Sequence, residues 1–112
     1  MARVYVIQRV MGRDLNDARR FGELTELLPE GVALQSTGQI IRKLRDRLKD
    51  FQAEDYLLCM GDPVAIGLAA AVAADISGGR LGFLRWSRNE NKYFPLAGDI
   101  HLRPRLVPGS AA

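Results

Sequence analysis

The chain has 112 residues, 47% of them hydrophobic and 26% charged, which is typical of one folded domain and excludes a disordered protein. Its formal net charge of +3 and sequence pI near 9.4 suit contact with nucleic acid but fall short of a polybasic protein. The single cysteine excludes an intramolecular disulfide, and the longest apolar run is about half of a membrane span, so we expect a cytoplasmic protein without membrane contact.

The amino-terminal part of the chain predicts one clear strand and one ambiguous element. Residues 3–9 are β-branched and aromatic with polar ends, which is typical of a strand that ends at Met11-Gly12. Residues 14–20 are polar and predict a loop or a short helical turn. Residues 21–28 suit a helix by propensity, yet a Pro-Glu-Gly turn follows and residues 32–34 can pair back, so a strand or hairpin is favoured.

An amphipathic helix is predicted after residue 36. Ser36 and Gln39 fit a capping box, in which the serine hydroxyl accepts from the Gln39 amide and the Gln39 side chain reaches back. Apolar residues at helical spacing form one stripe: Ile40, Ile41, Leu44, Leu48 and Phe51. Charged residues take the other face of this surface helix.

The charged face of this helix is a candidate nucleic-acid contact. Arg42, Arg45 and Lys49 lie at i, i+3 and i+7, so they can line up along a phosphate backbone. Asp46 and Asp50 lie near the same rows and partly neutralise them. The alternative is a solvated face with internal ion pairs.

The middle of the chain predicts a strand that turns directly into a helix. Tyr56 to Met60 is a continuous apolar run, typical of a strand covered on both faces, and it places the Cys59 thiol in buried packing. Asp62 is a good N-cap, and Pro63 suits the first helical position. The helix is expected to run to about residue 75, where Gly78-Gly79 stops it.

This helix carries no polar face over residues 64–74. A helix that is apolar all round is expected to be buried all round. One sheet covers one side only, so a second helix or a second subunit must cover the other. We therefore expect a homo-oligomer, with a dimer favoured.

The carboxyl-terminal part predicts a parallel strand followed by a hairpin. Residues 80–86 form a strand that completes a βαβ unit, residues 88–91 form a turn, and residues 92–96 return antiparallel. Cations and aromatic rings on this hairpin are candidates for binding single-stranded nucleic acid: Arg85, Trp86, Arg88, Lys92, Tyr93 and Phe94. Alternation places Leu84 and Trp86 on one face of the strand and Leu81, Phe83 and Arg85 on the other. It leaves open whether Trp86 is core or binding surface.

These elements predict a single α/β domain over residues 1–100. Its mixed sheet has about five strands with a βαβ unit, two main helices and a C-terminal β-hairpin. Residues 101–112 form a tail whose last residues resemble a damaged protease-site linker, and we expect them to be disordered or left over from expression.

The strand-to-helix turn is an alternative site for an anion or a nucleotide. Helix starts at the carboxyl ends of strands present amides to ligands in open α/β sheets. The residues concerned are Gly61, Asp62, Val64 and Ala65. If the Asp62 carboxylate caps the helix, however, it occupies the position that an anion needs.

Residues for catalysis or metal binding are sparse. His101 has only Asp99 as a nearby carboxylate partner, and no nucleophile and base lie at a readable spacing. One cysteine and one histidine do not make a structural zinc site without carboxylates. We expect no metal and no cofactor. These observations favour a non-enzymatic protein and leave an enzymatic activity open.

Two resemblances bear on origin. The run Asp55-Tyr56-Leu57-Leu58 through Gly61-Asp62-Pro63, with Ala65-Ile66-Gly67 and the Trp86 and Tyr93 hairpin, resembles a set of small bacteriophage proteins over residues 1 to about 100. That resemblance implies a phage origin and brings no activity with it. The order of elements is also similar to that of viral anti-defence proteins of the ring-nuclease type, which bind cyclic oligonucleotides as dimers. In those proteins a histidine follows the glycine at the helix start, where this chain has Asp62.

Three functions follow from these observations. The first is a non-enzymatic phage accessory protein, a homo-oligomer that binds DNA or RNA through the basic helix face and the hairpin. The second is a protein that holds a nucleotide or cyclic oligonucleotide at the subunit interface, near residues 61–65. The third is an inhibitor that binds a host protein.

Overall fold

The computed structural model describes residues 2–29 and 36–101. The elements in these two ranges are, in chain order, β1 (Arg3–Gln8), a 3₁₀ helix (Asn16–Phe21), β2 (Glu23–Leu28), α1 (Thr37–Arg47), β3 (Tyr56–Leu58), α2 (Pro63–Ser77), β4 (Arg80–Ser87) and β5 (Lys92–Asp99). The expected pairing of residues 32–34 and the expected tail beyond residue 101 lie outside the described residues.

The strands form one five-stranded mixed sheet in the order β2-β1-β3-β4-β5. The first four strands are parallel to their neighbours, and β5 runs antiparallel to β4. This confirms the predicted α/β domain with its βαβ unit, two main helices and C-terminal hairpin. Residues 23–28 form a strand parallel to β1, with Arg3 opposite Glu23 and Gln8 opposite Leu28, so pairing with β1 overrides their helix propensity.

The sheet is covered on both faces, as its mostly parallel strands require. Helices α1 and α2 pack on one face, over a buried cluster that includes Tyr5, Leu44, Leu57 and Ala69. The 3₁₀ helix packs on the other face, over a smaller cluster. The described residues thus form a three-layer sandwich, in which the 3₁₀ helix is the one helical segment that they place on the second face.

A buried carboxylate fixes the amino-terminal edge of the sheet. Asp55 is only 3% exposed and accepts two backbone amides, from Arg3 at 2.8 Å and from Gln52 at 2.9 Å. These bonds tie the start of β1 to the turn that leads into β3. The residue begins the apolar run that predicted the strand, but its clamping role depends on the neighbouring strand.

Helix α2 begins and ends as its sequence predicts. The Asp62 carboxylate accepts from the amides of Val64 and Ala65, Pro63 occupies the first turn, and Gly78 closes the helix in the left-handed conformation at φ 71°. Helix α1 packs along one flank. In the single chain, however, the outer stripe of α2 stays exposed, with Val64 56% exposed and Ala71 exposed as well.

The outer edge of β5 is closed along its first half. Tyr93 donates its backbone amide to Asp17 at 2.7 Å and accepts from the Arg20 guanidinium at 2.7 Å, both from the 3₁₀ helix. Pro95 then removes a backbone donor from the strand, which suits an edge. These features protect half of the edge from pairing with another chain.

Candidate nucleic-acid interface and cleft

The register of the hairpin sorts its predicted contact residues onto two faces. Arg85 lies opposite Phe94, and Trp86 lies opposite Tyr93. Because successive side chains of a strand point to opposite faces, Arg85, Phe94 and Lys92 share the face that carries α1 and α2. Trp86 and Tyr93 lie on the face of the 3₁₀ helix. The predicted set of cations and rings is therefore divided into two smaller sites.

The helix-side face of the hairpin carries two exposed cations and a ring. Arg85 and Lys92 are exposed and Phe94 is partly buried. The Lys92 ammonium lies 5.5 Å from the centre of the Phe94 ring and 3.4 Å from a carboxylate oxygen of Glu90. Among the described residues, Arg85 and Arg88 take part in no ion pair, so both guanidinium groups are available to phosphate.

On the opposite face, Trp86 is both core and surface. Its ring packs nearly edge-on against Tyr93, with centroids 4.9 Å apart at 66°, and it borders the smaller core cluster. Tyr93 is only 2% exposed, and its hydroxyl donates to the Asp14 carbonyl at 3.1 Å. Burial raises the pKa of Tyr93, which keeps this hydroxyl a donor. Tyr93 thus supports Trp86 and does not itself offer a free ring.

The three predicted cations of the first helix lie apart from the hairpin. Arg42, Arg45 and Lys49 are all exposed, but α1 ends at Arg47, so Lys49 belongs to the following turn. Arg45 is paired with Asp75 of α2 at 2.9 Å. Helix α1 packs against β2 and α2, whereas the hairpin forms the opposite edge of the sheet. The structure therefore does not join the two predicted basic surfaces.

The strand-to-helix turn is held closely against the end of β1. The Asp62 amide donates to the Gln8 side chain at 2.9 Å, and the Gln8 amide donates to the Met60 carbonyl at 3.0 Å. Gly61 has φ +114°, and a Cβ there would stand 2.9 Å from the Gln8 carbonyl oxygen and closer still to its side chain. Only glycine fits this approach. Because the Asp62 carboxylate takes the amides of Val64 and Ala65, the helix start does not present them to an anion.

A cleft opens beside this turn, at the carboxyl ends of β1, β3 and β4. Its volume is about 460 Å³. Most of the lining comes from the segments that follow these strands: Val10, Gly12, Arg13, Asp14, Leu58, Cys59, Met60, Gly61, Ile66, Trp86 and Tyr93. Gly61 is the one member of the predicted anion site that lines it.

No local pattern in the sequence predicts this cleft, because its lining residues come from distant segments that the strand order brings together. Arg13 and Trp86 are far apart in the chain, and only the placement of β3 between β1 and β4 brings them together. The expected burial of Cys59 is wrong, since β3 ends at Leu58 and the thiol is exposed at the cleft. Its surroundings still desolvate the sulfur enough to raise the pKa of Cys59, which disfavours a reactive thiolate.

The described residues show neither a metal site nor a membrane-spanning helix. Within residues 2–29 and 36–101, no cluster of three or more histidine, cysteine or acidic residues is arranged to hold a metal ion. His101 is exposed, and its backbone amide donates to Asp99 at 2.9 Å. No described helix is both long and apolar enough to cross a bilayer.

Comparison with known proteins shows a family match. Residues 2–100 match a family model described as phage Pam3 gp32-like protein. No curated protein matches the chain, and no solved structure matches it. The match confirms the expected phage type, while the likeness to ring-nuclease-type proteins stays a prediction.

Proposed function

Because this chain belongs to the phage Pam3 gp32-like protein family, we propose that it is a phage accessory protein that binds nucleic acid through its terminal hairpin, in the host cytoplasm. The observation that carries the proposal is the helix-side face of the hairpin, where Arg85, Lys92 and Phe94 lie side by side. Cations that neutralise phosphates, next to a ring on which bases stack, are the recurring parts of single-strand binding surfaces.

The electrostatic balance of the hairpin supports this role. Arg85 and Arg88 are exposed and lie in no ion pair with another described residue. Each basic surface has one paired cation, since Lys92 of the hairpin lies beside Glu90 and Arg45 of α1 lies beside Asp75. Neither Arg42 nor Lys49 is in an ion pair with another described residue, so the number of available cations does not separate the two surfaces. The hairpin adds the Phe94 ring beside its cations, which is the further part that single-strand binding needs, so the hairpin is the stronger candidate and the α1 face is the secondary one.

Two matched charge reversals test which surface is used. Arg85→Glu and Arg42→Glu both replace an exposed arginine and change the net charge equally. We expect Arg85→Glu to weaken binding of a fluorescently labelled single strand roughly 10- to 100-fold, as expected for the loss of a charged hydrogen bond. Arg42→Glu is expected to have a smaller effect. Equal effects, or a larger effect of Arg42→Glu, would reject the hairpin as the main contact.

The proposal retains the expected homo-oligomer, with the outer stripe of α2 as the contact. Val64, Gly67 and Ala71 leave an apolar stripe exposed on this helix, and burying such a stripe against a second copy removes it from water. We expect Ala71→Glu to convert a dimer to a monomer in sedimentation equilibrium. Ala53→Glu, at an exposed alanine outside α2, is the control. A wild-type chain that sediments as a monomer removes the oligomer from the proposal.

A further inference from the structure

The cleft lies where the connections of the sheet diverge. From β1 the chain leads to β2 on one side, and from β3 it leads through α2 to β4 on the other. The segments after the two strands therefore separate and leave a crevice at the carboxyl edge. Open α/β sheets bind their ligands at such points. The volume of about 460 Å³ falls within the range of small-ligand sites, roughly 300–1,000 Å³.

The aromatic wall of the cleft is held in place before any ligand arrives. Trp86 packs against Tyr93 at 4.9 Å. Tyr93 is in turn fixed by its hydroxyl bond to the Asp14 carbonyl and by its backbone bonds to Asp17 and Arg20. Because Tyr93 is held in place, the Trp86 ring that packs on it loses little conformational entropy when a base stacks on its other side. This small entropy cost favours binding.

The charges around the cleft favour one orientation of a nucleotide. Arg13 lines the cleft, and its backbone amide closes a turn onto the Val10 carbonyl at 3.2 Å. The amides at the start of α2 are already taken by the Asp62 carboxylate. Asp14 also lines the cleft, and its carboxylate accepts from the Asn16 amide at 2.8 Å. A phosphate is therefore repelled by the Asp62 and Asp14 carboxylates and attracted to Arg13. Trp86, Met60 and Ile66 offer an apolar wall to a base.

We propose that this cleft receives one unstacked base of a nucleic-acid strand, which stacks on Trp86 while its phosphate pairs with Arg13. This inference rests on the proposed function, because the same strand must reach both sites. It would pass from Arg85 and Lys92 on the helix-side face, round the hairpin turn at the exposed Arg88, to Trp86 on the opposite face. A base of a duplex must leave its partner and its neighbours before it can enter, whereas a base of a single strand is already accessible. The inference therefore assigns the protein a preference for single strands.

The sequence supplies a local reporter for the test. Trp86 is the only tryptophan of the chain, so its emission reports on the cleft alone, while the anisotropy of a labelled strand reports binding anywhere. The probe is a single strand of about 12 nucleotides, within the range of roughly 4–16 nucleotides that small binding domains cover. The same strand in a duplex and a free mononucleotide serve as competitors.

We expect the single strand to quench Trp86 as it binds, and the duplex to bind less tightly. Arg13→Gln is expected to weaken binding of the single strand, and Trp86→Leu to weaken it roughly 5- to 150-fold, the range for one stacked base. Arg19→Gln, at an exposed arginine that does not line the cleft, is the control. Far-ultraviolet circular dichroism confirms that each variant is folded.

The outcomes separate the two proposals. If the strand binds by anisotropy but Trp86 emission and the Arg13→Gln affinity stay unchanged, the cleft inference is overturned and the hairpin function stands. Equal affinity for single strand and duplex overturns it as well. A mononucleotide that binds as tightly as the strand shows a site for a free nucleotide and also overturns it. If no strand binds at all, the proposed function itself fails.

Discussion

Replacing Gly61 with alanine is expected to destabilise the domain strongly, because two costs coincide at this residue. The backbone there has φ +114°, a conformation that costs an L-residue about 1–3 kcal/mol. The added Cβ would also stand 2.9 Å from the Gln8 carbonyl oxygen and nearer to the Gln8 side chain, and such overpacking costs about 1–3 kcal/mol. The expected loss is therefore about 2–6 kcal/mol, from a total near 5–15 kcal/mol.

Gly98→Ala is the matched control. Gly98 lies within β5, is exposed, and has nothing within 4 Å of the position of a new Cβ. An alanine in a strand is about 0.5–1 kcal/mol better than glycine. The same chemical change is thus expected to lower stability at position 61 and to raise it at position 98.

Urea unfolding followed by circular dichroism measures both effects. With a slope of about 1–3 kcal/mol per molar urea, Gly61→Ala is expected to shift the midpoint down by roughly 1 M or more, and Gly98→Ala to shift it up slightly. A Gly61→Ala midpoint equal to that of the wild type would refute the described approach of the turn to Gln8. A destabilised Gly98→Ala would refute the open surroundings of this part of β5.

Two further predictions concern carboxylates that bond to backbone amides. Asp55→Asn keeps one acceptor for two amides, so we expect a loss of about 1.5–3 kcal/mol, and an unchanged urea midpoint would contradict this. The hydrogen bond from the Tyr93 backbone amide, and after it the contact with Arg20, lower the pKa of Asp17 below its usual 3.8 in the folded protein. The ionised carboxylate therefore stabilises the fold above pH 3.8. This stabilisation is lost as the pH falls through the folded pKa. Melting scans between neutral pH and about pH 3 should show this loss in the wild type, and a loss equally large in Asp17→Asn would contradict it.

Local sequence signals predict the parts of the fold that depend on neighbouring residues. Asp62, Pro63 and Gly78 mark both ends of α2 because capping and backbone conformation are decided within one turn. The alternation of the hairpin likewise predicts that Leu84 and Trp86 share a face, as the two core clusters confirm. These elements could be placed from the sequence without knowledge of the rest of the chain.

Long-range pairing decides the remainder. Residues 23–28 have a helix-forming composition, yet they form a strand because the edge of β1 is available to them. Cys59 is exposed, contrary to the prediction, because β3 ends at Leu58 and the end of a strand depends on how far its neighbours extend. The cleft between Arg13 and Trp86 needs the strand order, which no local pattern in the chain contains.

The salt dependence of single-strand binding tests the central claim most directly. For single strands, the logarithm of the affinity falls with the logarithm of salt concentration at about 0.7 per phosphate neutralised. With Arg13, Arg85, Arg88 and Lys92 as contacts, we expect binding at low salt and a slope of roughly −2 to −3. No binding at low salt, or an affinity independent of salt, would contradict nucleic-acid binding by this protein.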